Sequence, residues 1–208
     1  MRQVRFSIIF IILGMSIAFI SYDDVFSQTK LRNTPSPKEM NEEDIETLVK
    51  KCDFFDSELN QNGDCPNDFV DNGDGTITDR ATGLMWEKEG SSKEIHYYSA
   101  EKYVKKLNKK KFAGHDDWRI PTIEELYSIL EPNSNKKFHI NPVFGTKPFH
   151  CWSADKSALP SLMAQKRIQY LTLDYRKGTF SNAHIGFQPG GSSASNFSSY
   201  LRAVRSMQ

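Results

Sequence analysis

Helical spacing in this 208-residue chain stops at Pro132, and the strong signals beyond that point are for strands. In the main domain two amphipathic runs come before the proline. Ala100, Tyr103, Val104 and Leu107 recur at helical intervals within residues 99–109. Thr122 and Glu125 form a capping box that opens a second helix through Leu126, Ile129 and Leu130, and Pro132 closes it. Further on, residues 150–153, 168–175 and 200–205 have strand character, with a hairpin turn at Arg176-Lys177-Gly178. Ahead of the first helix, Phe69-Val70-Asp71 and Thr76-Ile77-Thr78 flank the turn residues Asn72-Gly73-Asp74-Gly75. Helices first and strands later, separated by long loops, make an α+β domain with antiparallel pairing. Trp86, Trp118 and Trp152 are expected to meet in one interior.

The N-terminal quarter is organised differently. Arg2 and Arg5 precede an apolar run over residues 6–20, and Val25 and Ser27 stand before a cut at Gln28. This is the layout of a signal peptide over residues 1–27. The run is shorter than the ~20 residues of a membrane span, so membrane attachment enters only through an uncleaved signal segment. The expected location is exported, periplasmic or extracellular at the cell surface.

Residues 28–65 follow as a linker containing an amphipathic helix over 41–52. Asn41 caps that helix, Asp44 and Glu46 stand early, and Lys50 and Lys51 stand late, which complements the helix dipole. Ile45, Leu48, Val49 and Cys52 share a face suited to the main domain or to a partner. The main domain is expected over 66–206.

Export permits disulfides. Of Cys52, Cys65 and Cys151, the expected pair is Cys52–Cys65, because the intervening DFFDSELNQNGD is polar and loop-like. Closing a loop of that size stabilises by about 3 kcal/mol in the chain-entropy model. Cys151, between His150 and Trp152, is then a buried inert thiol.

Lys+Arg number 27 against Asp+Glu 26, so the net charge of +1 carries no argument for a polyanionic partner. Local clustering does. Lys105, Lys106, Lys109, Lys110 and Lys111 put ammonium groups one helical turn apart, a ridge that attracts sulfate or carboxylate polymers. The same pattern also describes an ordinary solvated helix face. Nucleic acid is not an expected partner for an exported chain. Apolar residues at 38% and aromatics at 12% support a folded core.

Other polar groupings carry less chemistry. Counting an EF-hand loop from Asp71 puts Thr82 where a bidentate acid is required, so the acidic turn is a hairpin. Glu131-Pro132-Asn133 copies the sugar-binding tripeptide of calcium-dependent lectins, with Asp155 as the nearby imitation of the second ligand cluster. A helix end followed by proline explains the triplet, and no metal is expected. In His115-Asp116-Asp117-Trp118-Arg119 the indole belongs to the core, and the Asp and Arg side chains tie neighbouring backbone in place. The chain has no Gly-x-Ser-x-Gly elbow, no His-Glu-x-x-His and no phosphate loop. No catalytic residue and no cofactor are therefore assigned.

Several segments in order carry a family resemblance. They are Asp71-Asn72-Gly73-Asp74-Gly75-Thr76-Ile77-Thr78-Asp79, Ala81-Thr82-Gly83-Leu84-Met85-Trp86, and Ala113-Gly114-His115-Asp116-Asp117-Trp118-Arg119-Ile120-Pro121-Thr122 with Glu125-Leu126. Asn141-Pro142, Trp152-Ser153 and Tyr200-Leu201-Arg202-Ala203-Val204-Arg205 complete the set. Together these resemble the Lcl C-terminal domain family, over about residues 66–206.

The resemblance implies a C-type-lectin-like fold, related in shape to formylglycine-generating enzymes, with two helices packed on small antiparallel sheets. It also implies an envelope or surface location and, for the collagen-like adhesin that gives the family its name, binding to sulfated glycans. Family members often carry cysteines at the positions of Val104 and Ala203, which become core contacts here. Collagen-like repeats are missing from the chain, and no oligomeric state follows. The formylglycine-generating relatives pair two cysteines on copper, which Cys151 alone does not supply, although Cys65 could complete the pair if the bridge were 65–151 or absent.

The leading expectation is an exported, non-catalytic binding module or adhesin-like protein that engages a sulfated or acidic glycan through the lysine ridge. One alternative is an envelope structural or assembly domain that binds another protein through the 41–52 helix. The other is a cryptic metal-dependent enzyme.

Overall fold

A computed structural model describes residues 36–132, 137–158, 168–184 and 197–207. The expected signal peptide over 1–27, and the glycine- and serine-rich stretch 188–195, lie outside the described residues. The architecture is α+β, with three helices and two four-stranded sheets among the described residues.

Strand β1 (Glu39–Met40) leads into α1 (Glu42–Lys51), which begins at a capping box between Asn41 and Asp44. Three strands follow: β2 (Phe69–Asp71), β3 (Thr76–Asp79) and β4 (Leu84–Glu87). Next come α2 (Tyr97–Lys109), a single 3₁₀ turn (Phe112–Gly114) and the short α3 (Ile123–Ser128). Strands β5 (His150–Ser157), β6 (Gln169–Asp174), β7 (Thr179–His184) and β8 (Val204–Ser206) complete the described chain.

One sheet has the order β2-β3-β4-β8 and is antiparallel throughout. The other has the order β1-β5-β6-β7, and its β1 runs parallel to β5. That sheet is therefore mixed, unlike the purely antiparallel pairing expected. The C-terminal segment stitches the sheets together. Trp152 N–H donates to Tyr200 O at 3.0 Å and Tyr200 N–H to His150 O at 2.8 Å, while β8 pairs with β4 four residues later. Arg119 and Val204 exchange both backbone hydrogen bonds, which anchors the connection between α2 and α3 to the same strand.

The apolar face of α1 is spent inside the chain. Ile45 and Val49 pack in the same cluster as Trp86, Leu126 and Leu173, joined by Met40, Phe54 and Phe55. Of the two surfaces the sequence left open for this face, the main domain or a partner, the described structure gives the main domain.

The DFFDSELNQNGD segment differs from expectation as well. Phe54 and Phe55 are 1% and 4% exposed, and Asp56 is fully buried. Asp56 organises the turn by accepting from Glu58 N at 2.8 Å and Leu59 N at 2.9 Å, and the Asn60 side chain donates to Phe54 O at 3.0 Å. Hydrogen bonds and buried rings close this loop. No disulfide joins Cys52 to Cys65: Cys65 is a buried thiol, and Cys52 packs against the same cluster from the end of α1. Burial pushes the Cys65 thiol up to about 12, and Cys151, fully buried, likewise to about 12.

The three indoles are all buried but do not share one interior. Trp86 sits in the larger cluster, whereas Trp118 and Trp152 belong to a second cluster under α2 with Tyr97, Ala100, Val104, Leu201 and Ala203. The pleat of β4 explains the split, because Trp86 and the half-buried Met85 point to opposite faces and only Met85 reaches the second cluster. Val104 and Ala203 do fall in one buried cluster, as expected for two core positions.

Candidate functional site: the basic face of α2

The orientation of α2 follows from its sequence. Tyr97, Ala100 and Val104 are buried, and Tyr97 stacks on Tyr170 with ring centroids 3.5 Å apart. The Tyr103 hydroxyl donates to the buried Glu87 carboxylate. Asn108 clamps the next segment from both sides: its Nδ2 donates to Trp118 O at 2.9 Å, and its Oδ1 accepts from Trp118 N at 2.8 Å. With that face pinned, helical geometry sends the remaining positions outward.

Lys105, Lys106, Lys109 and Lys110 are exposed, and none of them forms an ion pair with a described acid. Lys111 departs from the row. The helix ends at Lys109, Lys110 N–H donates back to Lys106 O, and Lys111 adopts φ 48. Its ammonium group then lies 3.6 Å from Asp116. Four of the five anticipated lysines therefore form the ridge, and the fifth turns to a local acid.

Two further residues extend the ridge toward the start of the helix. Lys102 lies over the Tyr98 ring at 4.3 Å from its centroid, and Tyr98 is 67% exposed. Tyr98, Lys102, Lys106 and Lys110 follow at four-residue steps, a spacing already visible in the sequence. Lys106 and Lys109 in the last turn also complement the helix dipole.

The remaining polar groupings are largely internal. Asp117 pairs with Arg205 at 2.6 Å across the domain, not with neighbouring backbone as expected, and that hydrogen bond holds its carboxyl below the usual carboxylate range. Asp155 is buried. Its oxygens accept from Lys38 N and Ile123 N, both at 2.6 Å, so they are already engaged within the chain. In the lectin-like triplet, the Glu131 carboxylate accepts from Asn141 Nδ2 at 3.0 Å, and Asn133 lies outside the described residues.

One cluster was missed from the sequence because its members are far apart along the chain. His150 Nε2 lies 2.7 Å from Thr172 Oγ1 and 3.1 Å from Ser181 Oγ. Thr172 Oγ1 also lies 3.0 Å from Ser181 O and 2.9 Å from Ser181 Oγ, so the ring and the two hydroxyls form one hydrogen-bonded group across β5, β6 and β7. Among the described residues no three His, Cys, Asp or Glu side chains converge to hold a metal ion.

No helix among the described residues is long and apolar enough to cross a membrane. Neither the curated proteins nor the solved structures contain a match to this chain. The model of the Lcl C-terminal domain matches residues 75–205, which takes in β3, β4, all of α2 and α3, and β5, β6 and β7. With well over half of its length covered by that match, the chain belongs to the Lcl C-terminal domain family.

Proposed function

We propose that this chain is an exported, non-catalytic, adhesin-like binding module whose domain has the C-type-lectin-like arrangement implied by its family, and that α2 binds a sulfated or acidic glycan. The family is associated with surface or exported proteins, which supports the setting. The observation that carries the ligand class is the row of exposed lysines on α2 with no described acid paired to Lys105, Lys106, Lys109 or Lys110. Neighbours one turn apart stand about 5–6 Å from each other. That spacing is inside the ~8 Å Debye length at physiological salt, so the ammonium groups act on a polyanion together. Exposed lysines keep their hydration when unbound, and contact with a flexible polyanion releases counterions without burying a charge.

Replacing Lys106 and Lys110 with glutamate tests the reading. The variant should fold as the parent does, since both side chains are exposed. Its elution from immobilised heparin should shift to much lower salt. Retention equal to that of the parent would remove the ridge as the binding surface.

A further inference from the structure

The basic face of α2 begins with a ring instead of a charge. Among the described residues Tyr98 and Ile168 are the large apolar side chains left exposed. A lone exposed apolar residue needs no explanation. The placement of Tyr98 does. At ~100° per residue, steps of four, three and four bring Lys102, Lys105 and Lys109 back to within about 40° of it. The four side chains therefore form one stripe along about 16 Å of the helix. All four are exposed, and none of the three lysines pairs with a described acid. Glu101, the one acid of α2, acts on Tyr97 and Tyr170 at the flank of the stripe.

The ring stands on a fixed base. Its neighbour Tyr97 is buried, stacked on Tyr170 and edge-on to Trp152 at 5.5 Å, so the first turn of α2 is anchored. Lys102 places its ammonium group over the Tyr98 ring, 4.3 Å from the centroid. Tyr98 is 67% exposed with that lysine in place, so the opposite ring face is open to a ligand.

An aromatic face in line with spaced cations selects among polyanions. The face of a tyrosine ring is the negative end of its quadrupole and attracts polarised C–H and N–H groups. A pyranose ring offers such C–H bonds on its flat side, while its sulfate and carboxylate substituents project from the rim. A polyphosphate or an acidic peptide backbone offers the charge without that flat side. Sites that stack nucleic-acid bases set successive aromatics along a groove, whereas α2 presents a single ring on a convex face.

We propose that Tyr98 is the sugar-stacking platform of the α2 site, taking one pyranose ring of an anionic polysaccharide whose charged groups run on to Lys102, Lys105 and Lys109. It deepens the glycan assignment of α2 and rests on it. The ring supplies the discrimination that the lysines lack, since ammonium groups hold any flexible polyanion.

The experiment measures binding of the full chain to a heparin-derived hexasaccharide and, separately, to inorganic polyphosphate. Tyr98→Ala should weaken hexasaccharide binding about fivefold and change polyphosphate binding by less than about twofold. Tyr98→Phe keeps the ring and should bind as the parent does. The side chain is exposed, so neither substitution should disturb the fold. Protons held over a ring face are shielded, so hexasaccharide C–H resonances should move upfield on binding the parent and not on binding Tyr98→Ala. Equal weakening of both polyanions by Tyr98→Ala would reduce the ring to a support for Lys102 and overturn the proposal. Phenylalanine behaving like alanine would overturn it by assigning the effect to the hydroxyl. Tighter Tyr98-dependent binding of oligo-dT than of the hexasaccharide would overturn it by making the ring a base platform. Parent-like hexasaccharide binding by Tyr98→Ala, with binding lost in Lys106→Glu/Lys110→Glu, removes the stacking and leaves the ridge standing. Failure of the parent to bind the hexasaccharide removes ridge and stacking together.

Discussion

Asp155 bonds directly to Lys38, its Oδ1 accepting the Lys38 backbone N–H at 2.6 Å while its Oδ2 accepts that of Ile123 at the same distance. One buried carboxylate thus ties the segment ahead of the family match to the start of α3, where β1 also pairs with β5. Asp155→Ala strands two buried donors and should cost about 3 kcal/mol. Urea denaturation at neutral pH measures it. A loss of a few tenths would mean that water takes over both bonds.

The same tie predicts that the family segment does not stand alone. A chain beginning at residue 66 lacks Met40, Ile45, Val49, Phe54 and Phe55, all buried in the main cluster. It should show no cooperative thermal transition by calorimetry. Within the intact chain, Ile45→Ala should cost about 2–5 kcal/mol by the usual penalty for emptying a core position. A sharp unfolding transition in the shortened chain would contradict the shared core.

Arg119 grips Glu125 through two hydrogen bonds of 2.7 and 2.6 Å, and Glu125 also accepts from Thr122 N at 2.9 Å as the reciprocal half of a capping box. Glu125 is 1% exposed. Glu125→Ala removes the cap and leaves the guanidinium without its partner, so about 3–5 kcal/mol should be lost. Glu125→Gln keeps an acceptor for the cap and should lose less. Equal losses in the two variants, read from denaturation midpoints, would assign the cost to packing.

His150 supplies a pH dependence with a definite sign. Burial lowers its pKa; Asp174 and Glu94 act in the raising direction, and Arg176 and Lys177 in the lowering one. The folded ring stays neutral where the unfolded chain, near pKa ~6.5, already binds a proton. This contribution is therefore fully present above the unfolded value, declines as pH falls through it, and levels once the folded ring protonates. Glu87, Asp155 and Glu131, all raised by burial, act with the opposite sign over their own range. The comparison must be made against His150→Gln, which should lose less stability than the parent between pH 8 and pH ~5. Parallel profiles would remove His150 as the source.

Gly178 closes the β6–β7 hairpin at φ +72, and a Cβ there would meet the His139 ring at 2.9 Å and Phe55 at 3.0 Å. Both the backbone strain and the contact oppose a side chain. Gly178→Ala should cost about 2 kcal/mol, seen as a lower melting temperature. An unchanged melting temperature would show that the turn relaxes freely.

Much of the local structure was legible. The Thr122–Glu125 box, the Asn41 cap, the Gly73 and Gly75 turn and the hairpin at Arg176-Lys177-Gly178 all rest on interactions within four residues, so residue order alone specifies them. The exposed lysines of α2 were legible for the same reason, since the apolar residues facing the other way set which side is wet. Lys111 was not, because its departure depends on where the helix ends and on Asp116 beyond the 3₁₀ turn. The His150 cluster joins a ring to hydroxyls 22 and 31 positions along the chain, which periodicity does not connect.

Residue order by itself determined the α+β class, the capped starts of α1 and α3 and the basic face of α2, because caps, turns and amphipathic spacing act through neighbours on the chain. Only the tertiary structure decided that Phe54 and Phe55 are core, that Trp86 parts from Trp118 and Trp152, and that the segment before residue 75 completes the domain. Those outcomes depend on which apolar faces meet, and burial is rewarded by area without regard to distance along the chain.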